Sequence, residues 1–80
     1  MGDDVVTRIR SVLGETGGIA DAAGIGTGDN LYDAGLTSHA SVNVMLALED
    51  EFDVEFPDEL LRKSTFATID NIAGALDEIG

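Results

Sequence analysis

The stretch DAGLTSHASVNVMLALEDEF, Asp33 to Phe52, decides the fold. Gly35-Leu36-Thr37-Ser38-His39 leaves a glycine-rich region and leads straight into residues with helical spacing. Val44, Met45, Leu48 and Phe52 recur at intervals of three and four, which places them on one face of an amphipathic helix and makes that face the core-facing one. Val42 and Leu46 form a second i, i+4 pair that points elsewhere, so this helix carries more apolar surface than one buried stripe requires. The excess asks for a partner. Ser38 and Ser41 are both candidates for the N-cap, because a serine oxygen accepts a bond from an otherwise unpaired N–H of the first turn. The last turn carries Glu49, Asp50 and Glu51, at the end where the helix dipole disfavours negative charge. Local stability does not select that arrangement.

Working outward, residues 3 to 16 hold Val5, Val6, Ile9, Val12 and Leu13 as a helical stripe, with Asp3 and Asp4 in the first turn where the dipole favours them. Gly14 and Gly17-Gly18 are expected to end that helix. From Gly17 to Gly35 the chain is rich in glycine and poor in large side chains, which reads as a long loop with a turn of helix near Ala20 to Ala23. Such a loop in a compact domain is usually functional or disordered. Leu31 and Tyr32 are expected to pin its end to the core. Beyond Phe52, Pro57 suits the first turn of a short helix running from Asp58 to about Leu61 or Arg62. Phe56, Leu60 and Leu61 are core candidates. Thr65 or Thr68 then caps a last helix in which Ile69, Ile72, Ala73, Leu76 and Ile79 follow the same spacing. Gly74 weakens it by ~1 kcal/mol relative to alanine, so tight packing or fraying is expected there. Three long helical segments, one short one and no strand make an all-α, four-helix bundle with a long loop between its first two helices.

Composition narrows the function. Eighty residues read as one domain, 1–80, near the size at which only ~60% of the unfolded surface is buried, so a deep catalytic cleft is not expected. The absence of cysteine removes disulfides, thiolate metal sites and a cysteine nucleophile together. No apolar run approaches the ~20 residues of a membrane span, and Met1-Gly2-Asp3-Asp4 is unlike a secretory leader. A cytoplasmic, soluble, monomeric protein is the expectation. Four basic residues against sixteen acidic ones give a net charge of -12, which repels nucleic acid and anionic membranes and favours basic partners. No Lys or Arg lies between Arg10 and Arg62, so the acids from Glu49 to Glu59 have no counter-ions nearby in sequence. Charge runs usually mean a solvated face. Here the acids share a helix with surplus apolar residues, and recognition is the favoured reading.

Several catalytic readings fail on geometry. Ser38 and His39 as nucleophile and base are adjacent, and neighbours on a helix do not face each other. Glycines 24, 26 and 28 lack both the spacing and the preceding strand of a dinucleotide loop. An EF-hand read from Asp50 or Asp53 puts Phe52 and Pro57 on ligand positions and lacks its glycine. No metal site is expected.

The residues from Asp33 to Ser38, the helix from Val42 through Leu46-Ala47-Leu48-Glu49-Asp50-Glu51 to Phe52, and the continuation Asp53-Val54-Glu55-Phe56-Pro57-Asp58 together resemble the acyl carrier proteins, over roughly residues 30 to 79. The resemblance implies that Ser38 is the serine that receives 4'-phosphopantetheine from coenzyme A, the arm's thiol then carrying acyl or aminoacyl groups as thioesters. It implies no catalytic residues in the chain itself. The partners it implies are a phosphopantetheinyl transferase, an acyl- or amino acid-loading ligase, and downstream synthases with basic docking patches. Thr37, His39, Val42, Leu46, Glu49 and Asp50 are the expected partner-binding residues, apolar side chains supplying contact and acids steering. Thr37 and His39 depart from the family, which usually has aspartate before the modified serine and leucine after it. The Gly-Leu-Thr-Ser start and Phe56-Pro57-Asp58 look like small discrete carriers outside the main fatty-acid pathway, including those loaded with an amino acid. The rival reading is an acidic helical interaction module that is never modified.

Overall fold

The computed structural model describes residues 3–19 and 21–79. Helix α1 (Asp3–Thr16) buries Ile9, Val12 and Leu13, with Val5 and Val6 packed at the edge of the same core. Gly14 lies inside this helix and does not stop it, because one interior glycine costs only ~1 kcal/mol. The stop is at Gly17-Gly18. The Gly17 N–H donates to the Leu13 carbonyl at 3.0 Å, and a Cβ on Gly17 would sit 2.7 Å from that same oxygen. Gly18 then takes φ +72, in the left-handed region that glycine enters without steric cost.

The segment that follows is long but stitched down. Of the expected turn near Ala20 to Ala23, a 3-10 turn over Ala22–Gly24 forms, while Ala20 lies outside the described residues. Ile19, Ala22 and Ile25 are buried, and Arg10 Nη2 donates to the Ile25 carbonyl at 2.9 Å. Farther on, the Asp70 N–H donates to Thr27 O (2.9 Å) and the Leu31 N–H to Ala67 O (2.7 Å), tying the loop to the start of the last helix. Leu31 is fully buried, and Tyr32 packs against the core, as the sequence suggested.

Helix α2 (Ser38–Phe52) buries Val44 and Leu48 completely, and Met45 and Phe52 in part. Neither Ser38 nor Ser41 is its cap. Thr37 is extended (φ -99, ψ 163) and its Oγ1 accepts the Ala40 N–H at 3.0 Å; the cap lies one residue before the expected position because three hydroxyl residues crowd this junction. At the other end Asp53 is left-handed (φ 53), and the Val54 N–H returns to the Glu49 carbonyl at 3.0 Å. One of the acids there, Glu51, has a partner brought from α1. Arg8 Nε donates to Glu51 Oε2 at 2.8 Å, its Nη2 to the Glu51 carbonyl at 3.0 Å, and its guanidinium lies 4.6 Å from the Phe52 ring centre. A cation thus sits where the dipole asks for one.

The expected short fourth helix is two 3-10 turns, Asp58–Leu60 and Lys63–Phe66. Pro57 precedes the first in an extended conformation (ψ 157). Phe56 and Phe66 are buried and meet edge to face at 5.6 Å, a preferred aromatic geometry. Leu60 is half-buried, whereas Leu61, read as core, is 44% exposed: the 3-10 turn ends at Leu60, so the next side chain is not carried round as a helix would carry it.

Helix α3 (Ile69–Ile79) is capped by Thr68, whose Oγ1 accepts the Asn71 N–H at 3.0 Å; Thr65 is buried instead. Ile69, Ile72, Ala73, Ala75 and Leu76 enter the core. Helix α1 packs against both α2 and α3. Gly74 shows no tight packing: a Cβ there would meet nothing within 4 Å. Gly74→Ala is therefore expected to stabilise the fold by about 1 kcal/mol, raising the melting temperature by ~4–8 °C in a domain of this size. A thermal melt by circular dichroism checks this, and a lowered midpoint would show that the glycine is needed.

Candidate functional site

The loop that delivers Ser38 is built by backbone bonds. Asn30 Oδ1 accepts the N–H groups of Tyr32 (2.9 Å) and Asp33 (3.1 Å), starting a turn in which the Leu36 N–H closes onto Leu31 O at 2.9 Å. Gly35 supplies the positive φ, +123, that redirects the chain. Leu36 is buried and anchors the exit. Thr37 caps, and Ser38 is the first residue of α2, exposed. Ser41 Oγ donates to the Ser38 carbonyl at 2.7 Å and is thereby occupied. The Ser38 hydroxyl has no hydrogen-bond partner among the described residues.

His39 is also exposed and is not bonded to Ser38, so no nucleophile and base pair is assembled. Val42 and Leu46 are 52% and 53% exposed. With His39 and Asp50, also exposed, they share one outward stripe of α2 at helical spacing. Two residues of the expected partner-binding set have other bonds to make: Thr37 caps the helix, and Glu49 Oε2 accepts the Phe56 N–H at 2.8 Å.

Sequence reasoning missed the groove beside Ser38. It encloses about 330 Å³ between α2, which contributes Ser38, Val42 and Met45, and the 61–66 segment, which contributes Leu61, Lys63 and Phe66, with Tyr32 and Arg62 completing the lining. Tyr32 Oη donates to Lys63 O at 3.2 Å, and Lys63 Nζ lies 4.8 Å from the Tyr32 ring centre. The available signal was Met45 of the core-facing stripe three residues after Val42 of the surplus apolar pair. Its counterpart in the 61–66 segment had no periodicity to betray it.

A free, exposed hydroxyl at the first residue of a 15-residue helix fits a phosphate-linked group, since the unpaired backbone N–H groups and the dipole both favour an anion there. The profile of the family described as the phosphopantetheine attachment site matches residues 3–76. The chain belongs to this family: it is a carrier of phosphopantetheine type. It is 58% identical over 40 residues to an aminoacyl carrier protein of Agrobacterium fabrum, a match spanning about half of each chain, 50% of this one and 48% of the relative. It also resembles a chain in each of two crystal structures of an engineered Bradyrhizobium japonicum glycine:[carrier protein] ligase complexed with carrier protein from Agrobacterium tumefaciens. In the complex with AMP the TM-score is 0.86 at 40% identity, covering 90% of this chain and 97% of that one. In the complex with ATP it is 0.89 at 39% identity, covering 94% and 99%. No helix among the described residues is long and apolar enough to cross a membrane.

Proposed function

We propose that this protein carries an amino acid as a thioester on 4'-phosphopantetheine attached at Ser38, and presents it to partner enzymes of a specialised biosynthetic pathway in the cytoplasm. The observation that carries this reading is the Ser38 hydroxyl, exposed and unbonded at the head of α2. The arm, once attached, supplies the thiol. The chain's own residues supply position: Thr37 fixes the start of the helix, Gly35 and Leu36 fix the approach to it, and Val42, Leu46 and Asp50 offer a face for basic, partly apolar partners. A covalent tether then gives cargo a high local concentration in whichever active site docks the carrier.

An amino acid is favoured over a fatty acyl or polyketide cargo by the likeness to an aminoacyl carrier and to complexes containing a glycine:[carrier protein] ligase. The partners are accordingly a phosphopantetheinyl transferase, an ATP-dependent amino acid ligase and a downstream acceptor enzyme. The test is to incubate the arm-bearing protein with such a ligase, ATP, Mg²⁺ and a panel of amino acids. A mass gain of one amino acid, released by hydroxylamine, is the expected result. Loading by acyl ligases alone would overturn the amino acid assignment.

His39 stands three residues before Val42 on the same stripe, so it lies within reach of any enzyme docked there. His39→Leu is expected to leave stability within about 0.5 kcal/mol and to slow loading by the cognate ligase several-fold. Unchanged loading by every cognate enzyme would remove His39 from the interface.

A further inference from the structure

The turn that leads to Ser38 is anchored at both ends and spanned by exposed residues. Leu31 and Leu36 are buried; the Leu31 N–H donates to Ala67 O at 2.7 Å and the Leu36 N–H to Leu31 O at 2.9 Å. Between them Asp33, Ala34 and Gly35 are exposed, and Gly35, at φ +123, has no side chain to restrict its backbone. One side chain holds this stretch. Asn30 Oδ1 accepts the N–H groups of both Tyr32 and Asp33, which have no other acceptor among the described residues. Counted from Asn30 these are the positions that an N-cap side chain serves at a helix start. The Asn30 carbonyl takes the next donor, the Ala34 N–H, at 3.2 Å.

We propose that Asn30 is a positioning residue for the modification of Ser38: its side-chain oxygen keeps the 31–36 turn in the shape over which a phosphopantetheinyl transferase fits to reach the hydroxyl. The proposal rests on the attachment reading above. Asp33, Ala34, Gly35 and Thr37 stand exposed immediately before the reacting residue, so an enzyme that reaches Ser38 covers them. In the transfer the Ser38 oxygen bonds to the phosphorus on the pantetheine side of coenzyme A and the pyrophosphate P–O bond breaks. Adenosine 3',5'-bisphosphate leaves, and the hydroxyl proton passes to a base of the transferase. Asn30 bonds to the turn and not to Ser38. It acts by raising the fraction of carrier molecules that already have the docking shape, and apparent affinity scales with that fraction. Thr37 remains the cap of α2, so loss of the Asn30 side chain leaves the helix that carries Ser38 intact. The effect therefore falls on KM for the carrier and not on kcat.

The test is steady-state kinetics of arm transfer to the apo protein, followed by mass gain at varied carrier concentration, in the parent, Asn30→Ala and Asn30→Asp. Asn30→Ala should raise KM for the carrier about five- to ten-fold, with kcat within about two-fold, and still reach complete conversion. Asn30→Asp keeps an acceptor oxygen and should return KM to within about two-fold of the parent. Amide hydrogen exchange gives a second readout. Tyr32 and Asp33 should exchange faster in Asn30→Ala and at the parent's rate in Asn30→Asp, while the amides of α2 and α3 stay protected in all three. A KM unchanged in Asn30→Ala, or one that Asn30→Asp does not restore, would overturn the positioning role while leaving attachment intact. Loss of protection throughout α2 in Asn30→Ala would overturn it too, by making the effect one of general stability. A parent protein that gains no mass would overturn both.

Discussion

Ser38→Ala is expected to melt where the parent melts and to accept no phosphopantetheine. The separation of the two effects follows from the junction. Thr37, not Ser38, caps α2, and the Ser38 hydroxyl makes no bond within the described residues, so its removal leaves every hydrogen bond of the helix start in place. Alanine at the first helical position also has a slightly better propensity, by less than about 0.7 kcal/mol. The neighbouring hydroxyl behaves oppositely: Thr37→Ala loses the bond to the Ala40 N–H and should cost about 1 kcal/mol while still offering Ser38 for modification. A thermal melt and a mass measurement on both variants separate chemistry from structure at adjacent residues. A Ser38→Ala protein that still takes up the arm would place the attachment elsewhere.

Leu48→Ala carries the largest expected loss of stability. Leu48 is fully buried in the helix that supports the whole site. Truncating a buried leucine costs ~2–5 kcal/mol, against a total on the order of 5–15 kcal/mol for a native protein. The midpoint should fall by on the order of 10–30 °C. Leu46, two residues earlier and 53% exposed, is the control: Leu46→Ala should stay within about 0.5 kcal/mol of the parent and weaken partner docking instead. Equal stability losses at the two positions would mean that α2 is rotated from the orientation described.

That contrast between Leu46 and Leu48 was legible in the sequence, because a long helix with a regular period states which side chains face inward. The surplus pair Val42 and Leu46, the anchoring of Leu31, and the core face of α3 are visible for the same reason. Features that depend on a few local bonds were not. Thr37, Ser38 and Ser41 are all competent caps, and only the backbone conformation selects Thr37. Gly14 resembles a helix stop, yet the stop is the left-handed Gly18. Between Pro57 and Thr68 the chain folds as two 3-10 turns, too short to show a period. Leu61 is therefore turned outward, and Arg62 and Lys63 line a groove that sequence reading did not contain. The Arg8–Glu51 pair joins residues 43 apart, a contact that only the packing of α1 on α2 creates. The choice of Ser38 over Ser41 as the modified residue came from the family resemblance, and the bond from Ser41 Oγ to the Ser38 carbonyl adds a physical reason.

Attachment at Ser38 can be read out residue by residue by fragment-ion mass spectrometry. The protein is incubated with coenzyme A, Mg²⁺ and a phosphopantetheinyl transferase, including that of the native organism, then digested and sequenced in the mass spectrometer. A single phosphopantetheine is expected, with fragment ions bracketing Ser38 and leaving Ser41 and Thr37 unmodified. A protein that stays unmodified with every transferase would favour the acidic interaction module, and a phosphopantetheine found on Ser41 would contradict the assignment of the site.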